Sequence, residues 1–279
     1  MPVKELFDQV SIKCSRITTH AYSTSFSLGI RFLSKNLRNS IYSIYSYVRF
    51  ADEIVDSFHA YDKEALLARF REDTYRAIHE GISLNPVLNS FQSTVNKYSI
   101  DKELIDRFLK SMEMDLTHKN YNDISLGTYV LGSAEVVGLM CLKVFCNGDA
   151  EEYRKLAPSA MSLGSAFQKI NFLRDLREDF DMGRIYFPNL SISHLNEENK
   201  KRIEEDISRE FNHGYEGIKL LPRGARFGVY LAYVYYAALF KKIKSTPPEK
   251  VMQSRIRIPS GHKATLLAYS FVKYQFNMI

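Results

Sequence analysis

Two acidic segments, more than a hundred residues apart, hold the residues best suited to chemistry. They are Arg49-Phe50-Ala51-Asp52-Glu53-Ile54-Val55-Asp56 and Gln168-Lys169-Ile170-Asn171-Phe172-Leu173-Arg174-Asp175-Leu176-Arg177-Glu178-Asp179. At about 100° per residue, Asp52 and Asp56 share one helix face, as do Asp175 and Asp179. Asn171 falls one turn before Asp175, and Gln168 two turns before it. Each helix thus presents a two-carboxylate claw. Such a claw suits Mg²⁺, a hard cation that bridges one or two carboxylates to substrate phosphates and keeps several waters. Arg49 and Arg174 beside the claws could grip diphosphate oxygens as bidentate forks.

Acids at i,i+4 with a nearby Arg are also ordinary on a solvated helix, where each pair contributes a few tenths of a kcal/mol. The neighbours argue against that reading. Ile44, Val48, Ile54 and Val55 surround the first claw, and Ile170, Phe172, Leu173 and Leu176 the second. Carboxylates beside a core are costly unless a metal or an Arg compensates them. The seven His and three Cys show no zinc-like spacing, which leaves a soft-metal site without ligands.

The elements that must position these claws read as helices. Only 13 Gly and 8 Pro punctuate 279 residues, and the intervals between them carry apolar residues every three to four positions. The spacing predicts helices over 3–22, 35–56, 63–81, 86–98, 101–117, 126–145, 150–179, 196–221 and 223–243. Ser23-Thr24-Ser25 reads as a cap or turn. Residues 181–196 form the one sizeable loop, Pro247-Pro248 is a second break, and Arg255 to Lys263 is basic and irregular. The chain reads as one all-α domain over residues 1–279, with 45% hydrophobic residues to fill its core.

A formal charge of +6 suits nucleic acid, an anionic membrane or an anionic small substrate. The absence of a dense basic tract interleaved with aromatics excludes nucleic acid as the expected partner. Cys14, Cys141 and Cys146 form no CxxC pair and follow no signal-like leader, so reduced thiols and a cytoplasmic location are expected. The longest apolar run, 227–240, is too short to span about 30 Å of hydrocarbon, which suggests a buried helix. A greasy product would still bring the protein to a membrane periphery. Of the 18 Tyr, those in Tyr230-Leu231-Ala232-Tyr233-Val234-Tyr235-Tyr236 read first as half-buried packing.

These residues resemble the squalene and phytoene synthases over most of the chain, and most closely a bacterial phytoene synthase. Ser25-Phe26 resembles an early Ser-Phe pair. Tyr45, Arg49, Asp52 and Asp56 resemble the first signature, and Gln168, Asn171, Arg174, Asp175 and Asp179 the second. Met114-Asp115-Leu116, Tyr129 with Val137-Gly138, and Gly183-Arg184-Ile185-Tyr186-Phe187-Pro188 are similar to the intervening segments. Glu53 stands where the family usually has Asp, and Glu135 where it more often has a small residue.

The resemblance implies a helical isoprenoid synthase fold around a central cavity. It implies head-to-head coupling of two geranylgeranyl diphosphates, through a cyclopropylcarbinyl diphosphate, to phytoene with loss of pyrophosphate. Farnesyl-using dehydrosqualene or squalene synthase is the alternative, and a non-catalytic lipid-binding or assembly relative a third. Asp52, Asp56, Asn171, Asp175 and Asp179 would hold Mg²⁺, or Mn²⁺ in its place. Ser25, Phe26, Arg49, Gln168, Asn171, Arg174 and Arg255 would bind substrate, and Tyr45, Arg49, Tyr129, Arg174 and Tyr235 would serve catalysis. Phe26, Ile30, Met140 and Leu163 are candidates for a chain tunnel. No Gly-rich nucleotide loop is present, so NADPH is not expected. A monomer or a homodimer is consistent with the chain.

Overall fold

The computed structural model describes residues 3–117, 120–188 and 195–276, and among the described residues every extended element is helical. A single parallel bridge pairs Asn120 with Ile185. The elements are α1 (Val3–Tyr22), α2 (Thr24–Arg31), α3 (Lys35–Asp56), α4 (Lys63–Glu80), α5 (Pro86–Tyr98), α6 (Lys102–Thr117) and α7 (Asp123–Val130). A π-helical turn (Leu131–Glu135) joins α7 to α8 (Val136–Cys146). There follow α9 (Ala150–Asp181), α10 (Glu197–Leu220), α11 (Arg223–Lys244), the single turn α12 (Pro248–Val251) and α13 (Ser260–Gln275).

Local chemistry sets many of these boundaries. Asp62, Asn85, Asn122, Asp149 and Asn196 cap their helices by accepting from orphan N–H groups, and Asn122 with Ser125 completes a reciprocal capping box. Ser23 is another such cap, accepting from the Phe26 N–H at 3.1 Å. The polar break at 23–25 therefore starts a helix, α2, that the sequence reading did not anticipate.

Two other elements differ from expectation. The helix expected over 126–145 begins at Asp123 and contains the π-helical turn. The turn abuts α6 and α9 where only glycine fits: a Cβ on Gly132 would lie 2.5 Å from the Arg107 carbonyl oxygen, and one on Gly164 2.7 Å from that of Ala134. The basic stretch expected to stay irregular to Lys263 gives way at Ser260 to α13, for which no apolar periodicity had been read. Of the loop expected over 181–196, residues 189–194 lie outside the described residues.

Two apolar clusters hold the acid-bearing helices. On α3, Ile41, Ile44, Tyr47, Ala51 and Val55 face one, where Tyr47 stacks on Phe91 with centroids 3.7 Å apart. On α9, Ala166, Ile170, Leu173 and Leu176 face the other, with Phe172 stacked on Tyr186 at 4.1 Å. Burying each such aliphatic side chain stabilises the fold by about 1.5–3 kcal/mol. The carboxylates lie at the edges of these buried stripes, where the clusters meet. Among the described residues, 123–146 alone is apolar and long enough to cross a membrane, but half of its apolar window is buried inside the protein.

Candidate active site

A cavity of about 910 Å³ runs between α2, α3, α8, α9, α10 and α11. One end is polar. Ser23, Ser25, Tyr45, Arg49, Asp52, Gln168, Asn171 and Arg174 border it, together with Arg255, Arg257 and Lys263 from the strap that precedes α13 and from its first turn. The other end is walled by Leu33, Ile41, Val137, Leu142, Phe145, Leu156 and Ile218. A charged head and a long apolar tail would each find matching walls.

The first claw faces this mouth through Asp52. Burial, and then the neighbouring Asp56, raise its carboxyl to about 7. What exposure Asp52 retains is to the cavity it lines. Asp56 lies behind it, held by the Arg184 guanidinium at 2.6 Å. Gly183 makes that contact available: its φ of 75° reverses the chain after α9, a conformation that Gly adopts without the Cβ penalty. Arg49 donates to Glu53 and sits 4.3 Å from the Tyr22 ring centroid, yet its buried Nε has no partner.

The second claw is tied more tightly. Arg174 grips Asp175 through two hydrogen bonds of 2.8 and 2.5 Å, and Arg255 reaches the same carboxylate at 2.9 Å and Glu178 at 3.0 Å. Asp179 is 8% exposed, and burial followed by Asp175 raises its carboxyl to about 8. Asp56, Asp175 and Asp179 do not border the cavity, and Asp175 meets it only through Arg174 and Arg255. Asn171 borders the cavity and accepts from the Tyr236 hydroxyl at 3.1 Å. Tyr236, read from sequence as packing, is the α11 tyrosine that reaches this helix. Tyr235 also borders the cavity, but its hydroxyl donates to the Lys263 carbonyl at 3.1 Å and fastens the strap.

Asp115 joins the site without having been assigned a role from sequence. It accepts from the hydroxyls of Tyr129, Tyr186 and Tyr121 at 2.7, 3.2 and 3.4 Å, and burial raises its carboxyl to about 6. Burial and this carboxylate push the Tyr129 phenol well above its usual range, so it stays protonated. Burial likewise raises Tyr45 to about 12. The segment 114–116 was noticed only for its resemblance, because an acid on a mostly buried helix says nothing by itself about three distant phenols.

The remaining candidates separate. Phe26, Ile30 and Leu163 line the cavity, whereas Met140, expected in the tunnel, does not border it and is fully buried in the first apolar cluster. Helical periodicity places Met140 on an apolar face but cannot distinguish cavity from core. Glu135 ends the π-helical turn away from the cavity wall. Burial, then Glu210, raises its carboxyl to about 7.

The carboxylates fit a hard divalent cation. Three of them, Asp52, Asp115 and Asp179, are raised by burial, the state that a bound cation would relieve. Among the described residues no three acidic, His or Cys side chains come together as a complete cage.

Among the described residues, fold and site define an all-helical protein whose polar mouth, bordered by Asp52 and several Arg, opens into an apolar chamber. A model of the squalene/phytoene synthase family matches residues 19–262, and the chain belongs to that family, whose members are prenyltransferases. Phytoene synthase 1 of Solanum lycopersicum is 27% identical over 87% of this chain, which spans 62% of the tomato protein's length. Phytoene synthase of Arthrospira platensis is 27% identical over 91% of this chain and 90% of its own. Presqualene diphosphate synthase of Sinorhizobium fredii is 31% identical over 62% of this chain and 61% of its own. A solved dehydrosqualene synthase shares the fold with a TM-score of 0.78 at 19% identity, covering 99% of both chains. Squalene synthase HpnC from Alicyclobacillus acidocaldarius shares it at 0.76 and 21%, over 91% of this chain and 98% of its own.

Proposed function

We propose that this protein couples two geranylgeranyl diphosphates head to head into phytoene. The observation that carries the reading is the cavity, with Asp52 and several arginines at its mouth and an apolar far end. The resemblance to phytoene synthases over about nine-tenths of the chain supports the C20 substrate. Asp52, Asp56, Asn171, Asp175 and Asp179 would hold Mg²⁺, or Mn²⁺ in its place. The bound cation would neutralise charge growing on the departing diphosphate.

The chain's own residues do the rest. Arg49, and Arg174 and Arg255 once turned from Asp175, grip the diphosphate oxygens as the allylic C1–O bond breaks. Gln168, Ser25 and Phe26 position the first atoms of the prenyl chain beneath them, and the apolar walls exclude water that would quench a carbocation. The second prenyl chain attacks with its double bond, and proton loss closes the cyclopropane. The second ionisation uses the same arginines, and a final proton loss gives the hydrocarbon. Protonated Tyr45 and Tyr129 present π faces and hydroxyl dipoles to the cations, with Tyr129 fixed by Asp115. Because the last cation is quenched by proton loss, this reading needs no NADPH.

Farnesyl diphosphate as substrate is the second reading, favoured by the likeness to a presqualene diphosphate synthase and to the dehydrosqualene synthase fold. Purified protein incubated with Mg²⁺ and either substrate, with and without NADPH, separates the two by mass of the extracted product. A C40 hydrocarbon without NADPH supports phytoene. A C30 product, or no hydrocarbon from either substrate, contradicts it.

A further inference from the structure

We propose that the outward face of α13, with the basic residues flanking it, docks this protein on an anionic lipid bilayer. The inference goes beyond the reaction and holds whichever prenyl chain the cavity takes.

The chain's charge is divided sharply. Residues 217–279 contain eleven Lys and Arg and one acid, Glu249. The other 216 residues hold 27 Lys and Arg against 31 Asp and Glu, so all of the net positive charge belongs to the C-terminal helices and strap. Part of it serves the mouth, through Arg255, Arg257 and Lys263. The rest, including Arg223, Lys241, Lys250 and Lys273, does not border the cavity, and Lys244 lies beside the glutamates of α10. Such one-sided charge is the electrostatic footprint of a polyanionic partner.

The same region carries an unpartnered apolar face. On α13, Leu266, Leu267, Ser270 and Tyr274 turn inward, and Phe227 of α11 lies 4.8 Å from the Tyr274 ring. Positions 265, 268, 269, 272 and 276 share the opposite face, where Tyr269, Val272 and Phe276 are 57%, 52% and 74% exposed; Phe271 beside them is 47% exposed. No carboxylate lies on α11 or α13. The two helices run antiparallel, because Tyr235 meets Lys263 at the start of α13 and Phe227 meets Tyr274 at its end. Arg223 and Lys273 therefore flank one end of the apolar face. At the other end Lys242 donates to the Arg257 carbonyl, which places the basic last turn of α11 along the strap.

An exposed aromatic and aliphatic stripe flanked at both ends by Lys and Arg fits an anionic interface, where the stripe enters the acyl boundary and the Lys and Arg meet headgroups. At 16 residues α13 is too short to span a bilayer. A second copy of this chain is a poor match, since a twofold contact would oppose one basic rim to another. The placement also suits the chemistry: the strap leading into α13 borders the cavity mouth, so docking brings that mouth beside the lipid phase that dissolves prenyl tails.

The test is co-sedimentation of the full chain with vesicles of phosphatidylcholine containing phosphatidylglycerol, and with phosphatidylcholine alone. The wild type is expected to bind the anionic vesicles, weaken as salt rises, and bind the neutral ones several-fold less. Val272→Glu/Phe276→Glu should reduce binding at least about fivefold with helicity and melting temperature unchanged. Arg223→Glu/Lys241→Glu, which leaves the apolar face intact, should weaken binding to anionic vesicles alone. Wild type remaining in solution with both vesicles, or the apolar-face variant binding like wild type, overturns the proposal. So does a concentration-dependent dimer that the same variant dissolves.

Discussion

The two acidic helices carry similar motifs in different electrostatic states. On α3, Asp52 looks into the cavity, its companion Asp56 is paired with Arg184, and Arg49 keeps a buried Nε without a partner. On α9, Asp175 is gripped by Arg174 and Arg255, and Asp179 is buried behind it. Each claw thus has one carboxylate balanced by arginine and one raised by burial. On the proposed function, the first claw would take up a cation through Asp52 directly, whereas the second would first exchange its arginines from Asp175 to the diphosphate.

The largest effect should come from removing one carboxylate of either claw. Asp52→Asn and Asp175→Asn are each expected to lower turnover by about 10²–10³-fold or more, with the helical circular dichroism unchanged. They should differ in one respect. Asp175→Asn frees Arg174 and Arg255, so pyrophosphate without divalent cation should bind it more tightly than wild type, while Asp52→Asn shows no such gain. Identical pyrophosphate affinities would erase the distinction between the claws.

A middle-sized effect concerns pH. Asp52 and Asp179 are raised to about 7 and about 8 from an ordinary 3.8. The folded protein therefore holds protons that the unfolded chain has released, and stability present below about pH 4 is lost as pH rises through 7 to 8. Without divalent cation, thermal melts should show a decline on the order of 1–3 kcal/mol between about pH 5 and 9. Asp179→Asn should flatten it, and Mg²⁺ with pyrophosphate should restore stability at the alkaline end. A melting temperature independent of pH across this range would contradict the burial assigned to these groups.

The smallest effect tests the departure at Glu53. Its carboxylate is engaged by Arg49 one turn away rather than joined to the claw. Glu53→Gln is expected to keep turnover within about threefold of wild type, since the amide oxygen can still accept from Arg49. A loss comparable with Asp52→Asn would place Glu53 in the cation site.

Much of this arrangement was legible in the sequence where one helix carries the information. The 3.6-residue spacing put Asp52 with Asp56 and Asn171 with Asp175, and the Gly and Pro distribution predicted the all-α class. What was illegible depends on contacts between elements. Arg184 reaches Asp56 across 128 positions, and Asp115 collects hydroxyls from three segments, neither of which a local pattern encodes. The π-helical turn depends on the close approach of Gly132 and Gly164 to neighbouring backbones. Met140 was placed in the tunnel because a core face and a cavity face have the same periodicity. Helix α13 is not legible in the sequence because the basic strap before it masks its start and its polar and apolar faces are weakly contrasted.

The most direct test of the central claim, that the two claws hold a divalent cation only together with a diphosphate, is calorimetric titration of Mg²⁺ into the protein with and without inorganic pyrophosphate. Wild type should bind Mg²⁺ substantially more tightly when pyrophosphate is present, and Asp52→Asn and Asp175→Asn should each weaken that uptake at least about tenfold. Equal Mg²⁺ affinity with and without pyrophosphate, or uptake unchanged in both variants, would contradict it.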